Sequence, residues 1–435
     1  MDEKRQKTIT SPLSGRPGEA KYHLKCCKCN HEIENFTDWF KHHQSCAVCG
    51  GRHVEAVYFT DYSKLMDLLA KQPVNFWHYF DFLPLDDQAN IISYSEGAVI
   101  LEEWDFLNRF AAENYGIHCR VFAYRNDLNG GTNTLKDVSA SMTASVLKEN
   151  GIDRYCTSST GNSATAYARY LSKAGIRFTN FAPAAINRNT IDEIRSYKQE
   201  VIISAGDYAQ SKKEATAYSE TNDVFMSIGN IDPLRIEAKR TMVFEFMRQL
   251  GRLPDVYMQA VAGGTGPIAL DKGFREIASH WEEIGMAGNR QQVVADGVPA
   301  ALKIPRLLLV QQDLCDPMVQ AYEKAKKAGF PAGFENDYPV IENPPTSVFI
   351  LSAGNPGMYP LVAQIVKKSN GDFVRIKEAE IADFRGIVRK EKNTNIGPAA
   401  TVCFAGFYQA LKENKINDGE LIVLNIGESG KRYNN

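Results

Sequence analysis

From about Asn75 onward, short apolar runs of strand length alternate with longer stretches whose apolar positions recur at helical spacing. The clearest unit sets Arg154 to Thr160 as a strand, Gly161 to Lys173 as a helix and Arg177 to Pro183 as the next strand. Val201 to Ser204 and Val224 to Ile228 read as further strands, Leu234 to Leu250 as a helix, and Asp255 to Val261 as a strand entering a glycine turn. Pro305 to Gln311 and Leu421 to Asn425 complete the set, while the prolines of Pro339 to Thr346 mark a loop. This rhythm predicts an α/β fold. The apolar runs at Leu307 to Val310 and Leu421 to Ile426 fall far short of the roughly 20 residues that cross a bilayer. The first residues lack the apolar core of a secretory signal, so a cytoplasmic protein is expected.

Length adds a domain count. At about 150 residues per domain, 435 residues suggest two or three. Hydrophobic residues make up 44% and charged ones 23%, which excludes a wholly disordered or fibrous chain. The 50 basic and 52 acidic residues leave a net charge of −2, so no global field favours nucleic acid or an anionic membrane. Residues 1–20 mix Lys, Glu, Ser, Pro and Gly with almost nothing to bury and are expected to be a flexible tail.

Four motifs carry chemistry. Cys26 and Cys29, then Cys46 and Cys49, give two C-x-x-C pairs at zinc-ribbon spacing within residues 21–57. Cys27 competes with Cys26 for the register, and His42 and His43 are weaker candidate ligands. Four ligands close the coordination sphere, which assigns such a zinc to folding rather than catalysis. The second motif, GGTNTLKDVSA, places Lys136 at a helix start flanked by Leu135 and Val138; a Schiff-base lysine needs a partly desolvated setting, and a solvated surface lysine is the competing reading. The third, CTSSTGNSATAY, runs a strand through Ser158, Ser159 and Thr160 into Gly161 and then a helix. Its hydroxyls and unpaired helix N–H groups suit a carboxylate, with Asn162 adding a donor and an acceptor, and an ordinary capped turn is the competing reading. The fourth, QAVAGGTGPIA, gives a second strand-to-helix turn whose Gly263, Gly264, Thr265 and Gly266 let the backbone approach a phosphate. It fits neither G-x-G-x-x-G nor the P-loop.

Taken together and in this order, the motifs resemble the threonine synthase group of fold type II pyridoxal phosphate enzymes. NFWHYFDFLP at Asn75 to Pro84, YMQAVAGGTGPIA, LLLVQQ and GPAATVCFAGF are more similar to the cysteate synthase branch. The resemblance implies a tryptophan synthase β-like, two-domain, three-layer fold with an N-terminal zinc ribbon. Residues 58–145 and 254–435 would form the large cofactor-binding domain and 146–253 a small mobile one. It also implies pyridoxal 5′-phosphate on Lys136, which then serves as general base, with Asn162 on the cofactor's 3-hydroxyl. Gly263 to Gly266 would hold the cofactor phosphate, and Ser159, Thr160, Gly161 and Ser163 the substrate carboxylate. Asn133 and Thr134 are candidates for a second anion site. The usual hydroxyl facing the pyridine nitrogen is not evident in NIGESGK (Asn425 to Lys431), which leaves Ser429 as the candidate.

The reaction so implied is β-replacement on O-phospho-L-serine or a similar phosphorylated amino acid, with sulfite or another small nucleophile attacking an aminoacrylate. The alternative is threonine synthase, acting on phosphohomoserine. A third reading is a zinc-ribbon binding protein with a degenerate enzyme domain. Residues 21–53 hold five Lys or Arg against three acidic residues, too small an excess for a phosphate track. A homodimer without nucleic-acid or membrane partners is expected from the resemblance. Cys119, Cys156, Cys315 and Cys403 are isolated and read as buried thiols. His118 and His280 lack the nucleophile context of a hydrolase.

Overall fold

The computed structural model describes residues 20–287 and 302–433; the expected N-terminal tail lies outside them apart from residue 20. In chain order the strands are β1 (Tyr22–Cys26), β2 (Glu32–Ile33), β3 (Val54–Tyr58), β4 (Leu101–Glu103), β5 (Arg120–Tyr124), β6 (Arg154–Ser158) and β7 (Arg177–Pro183). They continue as β8 (Glu200–Ser204), β9 (Phe225–Met226), β10 (Val256–Ala260), β11 (Arg306–Gln312), β12 (Asp372–Ile376) and β13 (Leu421–Asn425). They form three sheets. A six-stranded sheet runs β12-β11-β10-β13-β5-β4, parallel except for the edge strand β4, and a four-stranded parallel sheet runs β8-β7-β6-β9. A small antiparallel sheet, β2-β1-β3, belongs to the cysteine-rich segment.

Central strands such as β13 (LIVLN) are buried at every position, because helices cover both faces of a parallel sheet. The larger sheet draws its strands from residues 101–124 and 256–425, the smaller one from residues 154–226. Two helices, Lys136–Glu149 and Pro233–Leu250, pack on each other between the sheets and are buried along nearly their whole length. Asp232 starts the second by accepting from the Leu234 N–H at 3.1 Å, with Pro233 at the first helical position.

The cysteine-rich segment is not a free appendage. Phe40 packs edge-on against Phe225 at 5.0 Å between ring centres. The Glu237 carboxylate accepts from the Ala56 N–H and the Tyr58 hydroxyl of β3 while pairing with Arg240 and Lys272. Its side chain is fully buried, so the small sheet is held to the core helices through a desolvated ionic network.

Candidate active site

Parallel strands end their ladders at their carboxyl ends, where loops and helix N-termini leave backbone groups free for a ligand. The cavity of this molecule lies there. Leu135 and Lys136 enter it from the loop after β5, Ser159 to Ser163 follow β6, Gln259 and Ala260 end β10, and Asn425, Gly427 and Glu428 end β13. Ile350 and Leu351 of the loop before residue 352, with Ala399 and Ala400 of the helix Pro398–Lys412, complete the walls.

Lys136 opens its helix. Its own N–H donates to the Thr134 hydroxyl at 3.1 Å, and the next residue, Asp137, gathers the preceding loop. Asp137 accepts from the Thr132 N–H and hydroxyl at 2.8 and 2.7 Å and from the Thr134 N–H at 2.9 Å. Lys136 is thus presented on a fixed turn rather than a mobile loop. Burial lowers its ammonium pKa and Arg235 adds to the effect, while Glu428 opposes it. Its Nζ makes no hydrogen bond among the described residues. The arrangement favours a neutral, nucleophilic amine facing the cavity.

Asn162 begins the helix Asn162–Ala174 and is 8% exposed. Its amide nitrogen donates to Glu428, and its Oδ1 accepts from Arg432 Nη1 at 2.5 Å. The neighbouring Gly161 is a close approach: a Cβ there would lie 2.7 Å from Ile350 Cγ2. Thr160 also donates to the Phe349 carbonyl at 3.2 Å, so the loop carrying Ile350 rests on this turn.

The glycine turn after β10 adjoins the cavity through Gln259, against which a Cβ on Gly266 would collide; Gly263 to Gly266 do not themselves line it. Gly264 has φ +101° and a Cβ there would meet Val362 Cγ2 at 2.5 Å, so both backbone and space require glycine. A Cβ on Gly263 would strike Asn230, whose Oδ1 accepts from the Thr265 hydroxyl at 2.9 Å. Asn133 and Thr134 spend their side chains elsewhere. Asn133 donates to the Asn129 carbonyl at 2.8 Å, Thr134 caps Lys136, and neither lines the cavity. Ser429 also stays outside it, its hydroxyl accepting from the Lys431 N–H at 3.3 Å.

Several cavity residues carried no local signal. Glu428 is 1% exposed and accepts from Asn162, the Ala399 N–H and the Tyr433 hydroxyl. Burial raises its pKa against those hydrogen bonds. Lys239, on the helix Pro233–Leu250 and outside the cavity lining, is 3% exposed and makes no ion pair among the described residues. Its pKa lies well below the usual lysine range because of burial, with Lys136 and Arg235 adding repulsion. Asp232 opposes the shift at Lys239, as Glu428 does at Lys136, while Arg235 stays charged beside them, a basic group that suits a phosphate or carboxylate ligand.

The geometry has a precedent in known proteins. A family model described as pyridoxal-phosphate dependent enzyme matches residues 106–427. The chain belongs to the pyridoxal-phosphate dependent enzyme family. Among its relatives is a threonine synthase of Methanocaldococcus jannaschii, 24% identical over 382 residues, covering 86% of this chain and 85% of that protein. Another is a threonine synthase of Methanosarcina acetivorans, 24% identical over 407 residues and covering 92% and 90%. A crystal structure of an L-serine ammonia-lyase from Rhizomucor miehei superposes with a TM-score of 0.60 at 14% identity, over 77% of this chain and 94% of that one, a likeness of fold. The fold type II α/β architecture and a pyridoxal phosphate cofactor follow from this membership. The residues present fit that cofactor: a buried lysine facing the cavity, and a glycine turn whose backbone and close packing leave no room for a side chain at Gly264.

The cysteine segment brings Cys26, Cys29, Cys46 and Cys49 together, their sulfur atoms all within 4.8 Å of one another. Cys27, His42 and His43 are not part of that group. Among the described residues no helix is long and apolar enough to cross a membrane.

Proposed function

We propose that this member of the family removes phosphate from an O-phosphorylated amino acid and replaces it, with O-phospho-L-serine as substrate and a small nucleophile such as sulfite as the incoming group. The observation that carries the reading is the convergence of Lys136, the Ser159 to Ser163 turn and Asn162 on one cavity. When bound, pyridoxal phosphate supplies the electron sink for loss of an α-proton. The Lys136 amine, its ammonium pKa lowered by burial, accepts that proton at Nζ and returns it later. Ser159, Thr160, Gly161 and Ser163 receive the substrate carboxylate through hydroxyls and the N–H groups of the helix start. The turn Gly263 to Gly266 and the N-terminus of the helix Thr265–Ser279 take the cofactor phosphate, and Asn162 orients its ring. The Arg235 guanidinium provides positive field for the phosphate that leaves. The loop carrying Ile350 and Leu351 closes the carboxylate turn against water.

Threonine synthase is the second reading, favoured by the relatives of that name. The segment NFWHYFDFLP, the main sequence likeness to the sulfite-using branch, does not discriminate. Phe76, Trp77, Tyr79, Phe80 and Phe82 are core residues and none lines the cavity. Four sulfurs in one cluster support a structural zinc in the cysteine segment.

The test is phosphate release and the change in the cofactor's visible absorption on adding O-phospho-L-serine or O-phosphohomoserine in parallel. Phosphoserine alone should react, and Lys136→Ala should lower turnover about 1,000-fold or more. Reaction with phosphohomoserine alone would replace the proposal with threonine synthase.

A further inference from the structure

We infer that Cys27, His53 and Glu55 form a second metal site, with an open coordination position, on the outer face of the cysteine-rich sheet. One ligand atom from each of these side chains lies within 4.8 Å of the other two. The sheet explains the grouping. Cys26 pairs with Val54 across β1 and β3, so Cys27 follows opposite His53, and its N–H donates to the His53 carbonyl at 3.0 Å. Successive residues of a strand face opposite sides. Val54 and Ala56 turn inward and are buried, which sends His53 and Glu55 to the face away from the core. Cys26 points into the four-sulfur group while Cys27 is exposed to solvent. The two groups of ligands therefore share a strand end without sharing a residue.

The chemistry of the three groups is that of a binding site rather than a packing accident. His53 Nε2 is buried and makes no hydrogen bond among the described residues. A buried ring nitrogen without a partner carries a cost that a metal bond removes. Glu55 accepts from Arg275 Nη2 at 3.0 Å, and Arg275 keeps a second partner in Asp271 at 2.7 Å, so the carboxylate can turn toward an ion without stranding the guanidinium. One thiolate, one imidazole and one carboxylate suit a divalent ion such as Zn²⁺ or Co²⁺ at about 2.0 to 2.3 Å per bond. Binding transfers the Cys27 proton to solvent and leaves the fourth position to water, unlike the closed four-cysteine group. The exposed thiol gives the ion a direct entry path.

Metal content and release kinetics of the full-length protein loaded with Zn²⁺ test this. The site predicts two ions per chain, one of which passes to a colorimetric chelator at least tenfold faster than the other, since three ligands and a water release faster than four thiolates. Cys27→Ser and His53→Ala should each abolish the fast ion and keep the slow one. The two variants guard each other, because Cys27→Ser alone could disturb the neighbouring cysteines whereas His53→Ala leaves every thiol in place. One ion per chain in the unmodified protein, two ions retained in either variant, or loss of both ions together from His53→Ala would each overturn the inference.

Discussion

Lys136 and Asp137, adjacent in sequence, show how one helix start divides its labour. The lysine faces the cavity, while the fully buried aspartate holds the loop with three hydrogen bonds. Burial drives the Asp137 pKa up to about 7 against those bonds, with Glu96 adding to it. The sign follows: a folded-state pKa above the unfolded value means stability that is full below about pH 4 and lost as pH rises through 7. Asp137→Asn, which cannot titrate, should remove this dependence, so the difference in unfolding free energy between the two proteins should change by up to about 4 kcal/mol between pH 4 and 7. Chemical denaturation at a series of pH values measures it; parallel stability curves would contradict it. At this scale the sequence was readable where cavity residues sit at a strand-to-helix junction, as at Lys136 and Asn162, because the local pattern reveals both elements. Asn425, Glu428, Gln259 and Ile350 reach the cavity only through tertiary folding. In NIGESGK the local pattern offers Ser429 as the hydroxyl, although the structure sends the neighbouring Glu428 inward.

Elements explain the next level. The sequence's strand assignments at 154–160, 177–183, 255–261 and 421–425 correspond to β6, β7, β10 and β13, since buried parallel strands are continuous apolar runs. β5 (RVFAY) and β12 (DFVRI) were not singled out, because a charged residue interrupts or flanks so short a run. The turn after β10 was legible from its glycines, and its requirement is physical. Gly264→Ala forces a side chain into a left-handed backbone, costing roughly 1 to 3 kcal/mol, and against Val362. Cofactor affinity, followed by absorbance during titration with pyridoxal phosphate, should fall at least tenfold; unchanged affinity would argue against a phosphate cradle. Glu237, by contrast, is a charged residue inside a helix whose role only the fold reveals. Glu237→Ala would leave Arg240 and Lys272 short of a buried partner and should cost about 3 to 5 kcal/mol in urea unfolding. A loss below about 1 kcal/mol would show that the network contributes little to holding the cysteine-rich sheet.

At the scale of the whole molecule, the cavity is built where two parallel sheets bring their carboxyl ends together, and the chain's last residues tie the halves. Arg432 forms an ion pair with Glu193 at 2.7 Å, on the helix Arg188–Ser196 beside the smaller sheet, and also donates to Asn162. The α/β class was legible from alternation, but this tie was not, because it joins residues 239 positions apart. Lys136 is proposed to carry the cofactor, in a region that also holds a second buried lysine of lowered pKa, Lys239. Borohydride reduction of the pyridoxal phosphate-loaded protein, followed by peptide mass mapping, tests that claim most directly. A single modified peptide with the cofactor's mass on Lys136 is expected, and none in Lys136→Ala. Modification at Lys239, or at no lysine of the cavity, would contradict it.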